Sequence, residues 1–105
     1  MLIEFEHEYL YELYHIGKTS NKKFRFQPQV IKGYKRAIDT LKVVKRIEDL
    51  YPFKGLNFEA LQGERKGTYS VRANGQYRVI FKLKEAGSEQ IATLSIIQDL
   101  SNHYE

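Results

Sequence analysis

Two strand-like runs around a short turn constrain the fold of this chain more than any other feature. Apolar and polar residues alternate through residues 69–73 and 77–83, and Asn-Gly at 74–75 separates the runs, a pattern typical of a β-hairpin. A turn of odd length pairs Arg72 with Arg78 and puts the apolar side chains of both runs on one face. A two-residue loop would mix apolar and charged side chains on each face, so we predict the odd-length register.

Helical periodicity dominates the first half of the chain. Residues 2–6 alternate apolar and acidic side chains as a half-buried strand does, and residues 7–17 then carry apolar side chains at helical spacing. A longer helix is predicted from Pro28 to about Leu50, because proline suits a first helical turn and an apolar stripe follows it. The first half therefore predicts one strand and two helices.

The apolar period changes to two from Leu56 onward. A short alternating run ends at a charged turn at residues 63–67, the hairpin follows, and residues 84–90 and 91–100 predict a loop and a last strand. Helices followed by strands indicate the α+β class. A chain of 105 residues is large enough for only one core. We therefore predict a single domain, with both helices on one face of a small antiparallel sheet.

Charge is distributed unevenly along the sequence. Residues 1–17 hold four acids and no lysine or arginine, whereas residues 18–46 hold ten lysines and arginines against one acid. Such a basic segment attracts phosphate backbones, although a solvated helix face is the commoner meaning of a charge run. Lys35 and Lys42 share a polar face of the predicted long helix and are candidate phosphate contacts.

Several classes of protein are excluded by composition. The absence of cysteine excludes a disulfide framework and a thiolate zinc site, and no histidine pair has metal-ligand spacing. The acidic N-terminus does not fit a signal peptide, and no run approaches the roughly 20 apolar residues of a membrane span. We expect a cytoplasmic protein without a membrane contact, a metal or a cofactor.

Residues for a metal-free RNA cleavage fall on one predicted face. Alternation puts Glu59, Arg72 and Arg78 on the same polar side of the sheet, and His103 lies near the end of the chain. Cutting RNA in this way needs a base for the 2′-hydroxyl, a cation for the phosphate and an acid for the leaving oxygen. Two arginines directly opposite each other on an exposed face repel unless an anion lies between them, so they predict either a phosphate cradle or a cluster neutralised by Glu59.

Five short motifs occur in a fixed order in the second half, namely LQGER at 61–65, YSVR at 69–72, NG at 74–75, YRV at 77–79 and HY at 103–104. In this order they resemble the RelE/ParE superfamily of bacterial type II toxins, especially its HigB-like and YoeB-like ribonucleases. The resemblance implies a RelE-like microbial ribonuclease-type fold and an endonuclease that cuts mRNA in the 30S A site of the ribosome. It also implies an inactivating antitoxin partner, a HigA-like helix-turn-helix DNA-binding protein.

The resemblance implies catalytic roles for four residues. Glu59 matches the general base of YoeB-like members, Arg78 matches the arginine placed on the scissile phosphate, and His103 matches the terminal general acid. Tyr104 follows that histidine as a stacking aromatic residue. Some HigB-like members carry a histidine at the position of Glu59.

The same resemblance implies contacts to the RNA backbone. Arg65, Lys66 and Arg72 are the expected contacts, although Arg65 has the alternative of pairing with Glu64. Gln62 is neutral where some HigB-like members carry a lysine.

Two other functions remain open from the sequence. ParE-like members share the fold but inhibit DNA gyrase without an acid or a base, and a plain RNA-binding module would use the basic segment at 18–46 without cleavage. Only a nuclease should lose its toxicity when Glu59 or His103 is substituted.

Overall fold

The described residues form one mixed sheet and two helices. The structure is a computed structural model that describes residues 1–86 and 92–102. In chain order the elements are β1 (Leu2–Phe5), α1 (Glu8–His15), α2 (Pro28–Val43), β2 (Glu59–Ala60), β3 (Tyr69–Arg72), β4 (Arg78–Ala86) and β5 (Ala92–Ser101). The sheet order is β1-β5-β4-β3-β2. The predicted α+β class is therefore confirmed.

The hairpin at the centre of the sheet has the predicted register. Arg72 at the end of β3 lies opposite Arg78 at the start of β4. The side-chain oxygen of Asn74 stabilises the turn, since it accepts hydrogen bonds from the backbone N–H groups of Gln76 and Tyr77 at 3.0 and 2.8 Å. A turn closed by an asparagine side chain in this way needs no two-residue loop.

One edge of the sheet departs from the prediction. β1 runs parallel to β5, with Leu2 opposite Leu94, whereas the other neighbouring strands are antiparallel. Alternation indicates which side chains of a strand are buried, but it does not indicate which strand lies beside it or in which direction. The prediction of a wholly antiparallel sheet was wrong at this edge for that reason.

Two predicted element ends are also wrong. α2 ends at Val43 instead of Leu50, because the Asp49 carboxylate accepts a hydrogen bond from the backbone N–H of Arg46 at 3.2 Å and stabilises a separate 3₁₀ turn. The last carbonyl groups of α2 accept hydrogen bonds from the N-terminal ammonium group instead. β4 continues through residues 84–86, which were predicted as loop.

Both helices pack on the same face of the sheet, as predicted, and we name this side the core face. Its fully buried side chains include Leu10, Leu13, Tyr34, Ile38, Leu41, Val71, Val79, Phe81 and Ile97. α2 approaches the end of β3 closely at Gly33, where a methyl group would lie 1.7 Å from the carbonyl oxygen of Ala73. Only glycine permits this approach.

Candidate active site

Four polar side chains lie together on the side of the sheet opposite the core face. Strand pairing puts Glu59 opposite Ser70 and Arg72 opposite Arg78, and alternation turns these four side chains away from the helices. We name these four residues the second face. The structure therefore brings together the three residues that alternation had grouped, and it adds the serine.

Arg78 is buried on the second face, although the sequence predicted two exposed arginines. Its side chain is only 3% exposed. Nε donates a hydrogen bond to Oγ of Ser70 at 2.7 Å, and a terminal nitrogen donates to the main-chain oxygen of Asn57. Asn57 has a left-handed backbone with φ 46°, which asparagine tolerates better than most residues. The prediction was wrong for Arg78 because these acceptors satisfy its guanidinium away from solvent.

Glu59 lies against this buried arginine. Its Oε1 atom is 3.7 Å from a terminal nitrogen of Arg78, and the glutamate side chain is 46% exposed. One carboxylate oxygen thus faces a cation that is itself held in place by hydrogen bonds, while the rest of the side chain is open to solvent. The arrangement orients a carboxylate without covering it, which is what a general base requires.

A second ion pair crosses from the charged turn to β5. A terminal nitrogen of Arg65 lies 3.3 Å from Oδ2 of Asp99, and the hydroxyl of Tyr9 donates to Oδ1 at 3.1 Å. Burial and the negative charge of Asp99 raise the pKa of Tyr9. The sequence left two partners open for Arg65, phosphate or Glu64, and in the structure it pairs with Asp99 instead.

Asp99 and Tyr9 were missed by sequence-based reasoning. Asp99 is the one carboxylate in β5, whose other residues are apolar or small and uncharged apart from Gln98. A lone acid in such a strand is a usable signal, because a partly buried carboxylate needs a partner. The identity of that partner comes only from the fold.

Two further predicted contacts lie on the surface. Arg72 and Lys66 are both exposed, and within the described residues Arg72 makes no ion pair. Arg72 shares the second face with Glu59, whereas Lys66 follows the 3₁₀ turn at Gly63–Arg65. Both cations are accessible to a phosphate group.

Lys35 and Lys42 lie elsewhere. The Nζ atom of Lys42 is 4.4 Å from the ring centroid of Tyr14 in α1, and the end of the Lys35 side chain lies over Gly17. These contacts put both lysines at the α1–α2 interface instead of beside Glu59. The structure does not bring them to the second face.

The predicted residues His103 and Tyr104 lie outside the described residues. Ser101, the last residue of β5, pairs with Arg78 across the sheet. The described chain thus ends next to the second face.

Residues 1–86 and 92–102 offer neither a cluster of metal ligands nor a membrane-spanning helix. This part of the chain contains no group of three or more histidine or acidic side chains that could hold a metal ion. Neither of its helices combines the length and the apolar composition of a bilayer span.

Comparison with models of known protein families identifies the family of this chain. A family model described as the RelE-like toxin of the type II toxin-antitoxin system HigB matches residues 3–94. The chain belongs to this HigB-like toxin family. The predicted membership of the RelE/ParE superfamily is thereby confirmed, and the match also extends over the N-terminal half, where no motif had been identified.

This HigB-like chain is similar in sequence to two further proteins, one of which is itself named as a HigB toxin. It is 34% identical over 83 residues to Toxin HigB-1 of Vibrio cholerae serotype O1, which covers 78% of this chain and 83% of that protein. It is also 32% identical over 78 residues to an uncharacterized protein of Haemophilus influenzae, with 74% of each chain covered.

Solved structures share the fold of the HigB-like chain. A YoeB/ParE toxin from Agrobacterium tumefaciens has a TM-score of 0.60 at 17% identity, with 99% of this chain and 100% of that chain covered. A chain of the YoeB-YefM complex from Staphylococcus aureus has a TM-score of 0.56 at 20% identity, with 99% of both chains covered. At these identities the likeness establishes the fold.

Proposed function

We propose that this HigB-like toxin is an endoribonuclease that cuts mRNA in the ribosomal A site without a metal ion and so inhibits translation. The observation that carries the proposal is the pair on the second face, where the half-exposed carboxylate of Glu59 lies 3.7 Å from the buried guanidinium of Arg78. The pair combines an accessible base with a fixed positive charge.

The reaction begins at the ribose. Glu59 accepts the proton of the 2′-hydroxyl, and the 2′-oxygen forms a bond to the adjacent phosphorus. A positioned base typically contributes about 10²–10⁴-fold to the rate. Arg78 lies 3.7 Å from one carboxylate oxygen of Glu59, so its positive charge favours the ionised form that accepts the proton.

Negative charge then builds on the phosphate oxygens, and Arg78 and Arg72 stabilise it in different ways. Arg78 is buried and held by Ser70 and Asn57, so it contributes a fixed positive field from beneath the site. Arg72 is exposed and lies opposite Arg78, so its guanidinium is the one that binds the phosphate oxygens directly.

The leaving group departs at the far side of the phosphate. His103 donates a proton to the 5′-oxygen as the P–O5′ bond breaks, which yields a 2′,3′-cyclic phosphate and a 5′-hydroxyl. Tyr104 stacks on a base beside it. Both residues follow Ser101 in the sequence, and Ser101 lies opposite Arg78; this place in the sequence supports their assignment.

An antitoxin would hold the toxin inactive. The family is one of type II toxin–antitoxin systems, and one structural neighbour was solved as a YoeB-YefM complex. We propose a HigA-like antitoxin with a helix-turn-helix DNA-binding domain, as the family resemblance implies.

The decisive experiment compares three chains after induction in bacteria, namely the wild type, Glu59→Gln and Glu64→Gln. Glu64 is exposed and lies in the neighbouring 3₁₀ turn, so its variant makes the same chemical change away from the second face. We expect the wild type and Glu64→Gln to arrest growth and to create new mRNA 5′ ends inside reading frames, as detected by primer extension. Glu59→Gln should lose both effects.

Growth arrest by Glu59→Gln without new mRNA ends would overturn the nuclease proposal and favour a ParE-like, non-enzymatic inhibitor of gyrase. Ribosome dependence is tested with purified components. We expect cleavage of an mRNA bound to ribosomes and no cleavage of the same mRNA alone.

A further inference from the structure

A cavity lies between α2 and the turn of the hairpin, and we name it the α2 groove. Its volume is about 350 Å³, and its walls include Arg36 of α2, Arg72 and Gly75 of the hairpin, and Phe53 and Gly55 from the segment before β2. Neither Glu59 nor Arg78 lines it. Arg72 is therefore the residue that the α2 groove shares with the second face.

The α2 groove is lined by positive charge. Arg36 and Arg72 come from different elements and are both exposed, and none of the lining residues is acidic. Within the described residues neither arginine makes an ion pair. The forked guanidinium of Arg36 matches phosphate oxygens, and no acidic lining residue competes for it.

The same cavity offers an aromatic ring and bare backbone. Phe53 is 46% exposed, which is high for a large apolar side chain beside a cavity. An ideal Cβ on Gly55 or Gly75 would meet no atom within 4 Å, so the glycines leave open space along the wall. Unpaired RNA bases commonly stack on exposed aromatic rings of this kind.

We propose that the α2 groove binds one nucleotide of a single RNA strand, with its phosphate on Arg36 and its base on Phe53. A cavity of about 350 Å³ lies at the lower end of the roughly 300–1,000 Å³ range of small-molecule sites. An acidic peptide would also satisfy Arg36, but Arg72 belongs both to the groove lining and to the second face, and this continuity favours the strand that is being cut. The identity of that strand rests on the proposed function, whereas nucleotide binding is testable without any cleavage.

The test is an NMR titration of ¹⁵N-labelled protein with a single-stranded RNA of about five nucleotides, 2′-O-methylated throughout so that no 2′-hydroxyl can react. Glycine amides distinguish the α2 groove from the charged turn, since Gly33, Gly55 and Gly75 line the groove and Gly63 and Gly67 flank the turn. We expect the amides of Gly55 and Gly75 to shift on titration.

Three variants test which side chains contribute to RNA binding in the α2 groove. Arg36→Ala and Phe53→Ala should each weaken the binding measured at Gly55 by about tenfold, from the loss of a phosphate contact or of base stacking. Arg25→Ala removes the same charge from an exposed arginine that does not line the groove, and it should leave the affinity within about twofold. Arg36→Ala should also reduce the dependence of binding on salt by about one phosphate contact.

Shifts confined to Gly63 and Gly67 would overturn the proposal, because the RNA would then contact the charged turn instead of the α2 groove. Equal affinities for the wild type, Arg36→Ala and Phe53→Ala would overturn it as well. If the RNA leaves Gly55 and Gly75 unshifted while the cognate antitoxin shifts them, the groove is a protein-binding site and the proposal is wrong. Loss of toxicity in Glu59→Gln is scored in cells, so the nuclease proposal fails or holds independently of these shifts.

Discussion

The two faces of the central sheet bury adjacent residues of one strand by different means. Val79 is fully buried on the core face, and its neighbour Arg78 is 2% exposed on the second face. The valine is buried by apolar contact with helices, which its side chain favours on its own. The arginine is buried because it donates hydrogen bonds to Ser70 and Asn57, so its position depends on specific partners. On the core face Val79 is buried because it is apolar. On the second face Arg78 is buried because suitably placed acceptors satisfy its guanidinium.

Removal of a large core side chain should have the largest effect on stability. Phe81 is fully buried on the core face, and Phe81→Ala should lower the free energy of unfolding by about 3–5 kcal/mol through lost contacts and a residual cavity. Urea unfolding measures the change. Ile16→Ala removes an apolar side chain that is 59% exposed and should stay within about 0.5 kcal/mol. A comparable loss in both variants would contradict the assigned core.

A substitution of Arg78 tests whether its hydrogen-bond partners account for its burial. Arg78→Met keeps much of the side-chain volume but leaves Ser70 Oγ and the Asn57 carbonyl without their donor, so stability should fall by about 2–3 kcal/mol. Arg72→Met makes the same change at the exposed residue opposite and should cost less than about 0.5 kcal/mol. Equal losses in urea unfolding would show that the two arginines are alike and that the contrast drawn for the second face is wrong.

Tyr9 links the core face to the ion pair of Arg65 and Asp99. Tyr9→Phe should cost about 1 kcal/mol at neutral pH, the usual value of one hydrogen bond. Burial and Asp99 raise the pKa of Tyr9 above its ordinary value of 10.0, so above pH 10 the unfolded chain releases a proton that the folded state retains. Its contribution to stability is complete below pH 10 and is lost as the pH rises further.

The alkaline loss of stability should therefore be shallower in Tyr9→Phe than in the wild type. Part of the loss remains, because burial also raises the pKa of Tyr34. Tyr51→Phe, which removes the hydroxyl of a tyrosine that is 65% exposed, is the matched control. Identical slopes for Tyr9→Phe and the wild type above pH 10 would exclude the proposed coupling between folding and the Tyr9 proton.

Glu59→Gln should have the smallest effect on folding and a large effect on activity. The glutamate is 46% exposed, and ion pairs of such residues contribute little to stability, so unfolding in urea should change by less than about 0.5 kcal/mol. Cleavage of ribosome-bound mRNA should fall by about 10²–10⁴-fold. A parallel loss of stability and activity would show that Glu59 serves the fold and not the reaction.

Much of the core face was predictable, because periodicity depends on local residue order. The hairpin register followed from keeping Val71 and Val79 on one side, and the structure has this pairing. The end of α2 was not predictable in the same way. It depends on a carboxylate beyond the helix, Asp49, and on the N-terminal ammonium group, which arrives from a distant part of the sequence.

The candidate site was only partly predictable. Alternation grouped Glu59 with Arg72 and Arg78 correctly, since it depends only on the two-residue period of strands. It did not reveal that Arg78 is buried or that Arg65 pairs with Asp99, because both facts depend on residues far apart in the chain. The roles of His103 and Tyr104 stay predictions.

The local order of apolar and polar residues was sufficient for the α+β class, the hairpin register and the grouping of Glu59 with two arginines, because side-chain direction follows the backbone period. The direction of β1, the burial of Arg78 and the joining of Arg36 and Arg72 in one groove required the folded chain. Each of these depends on which distant segments come into contact, and such contacts cannot be predicted from the periodicity of apolar residues in the sequence.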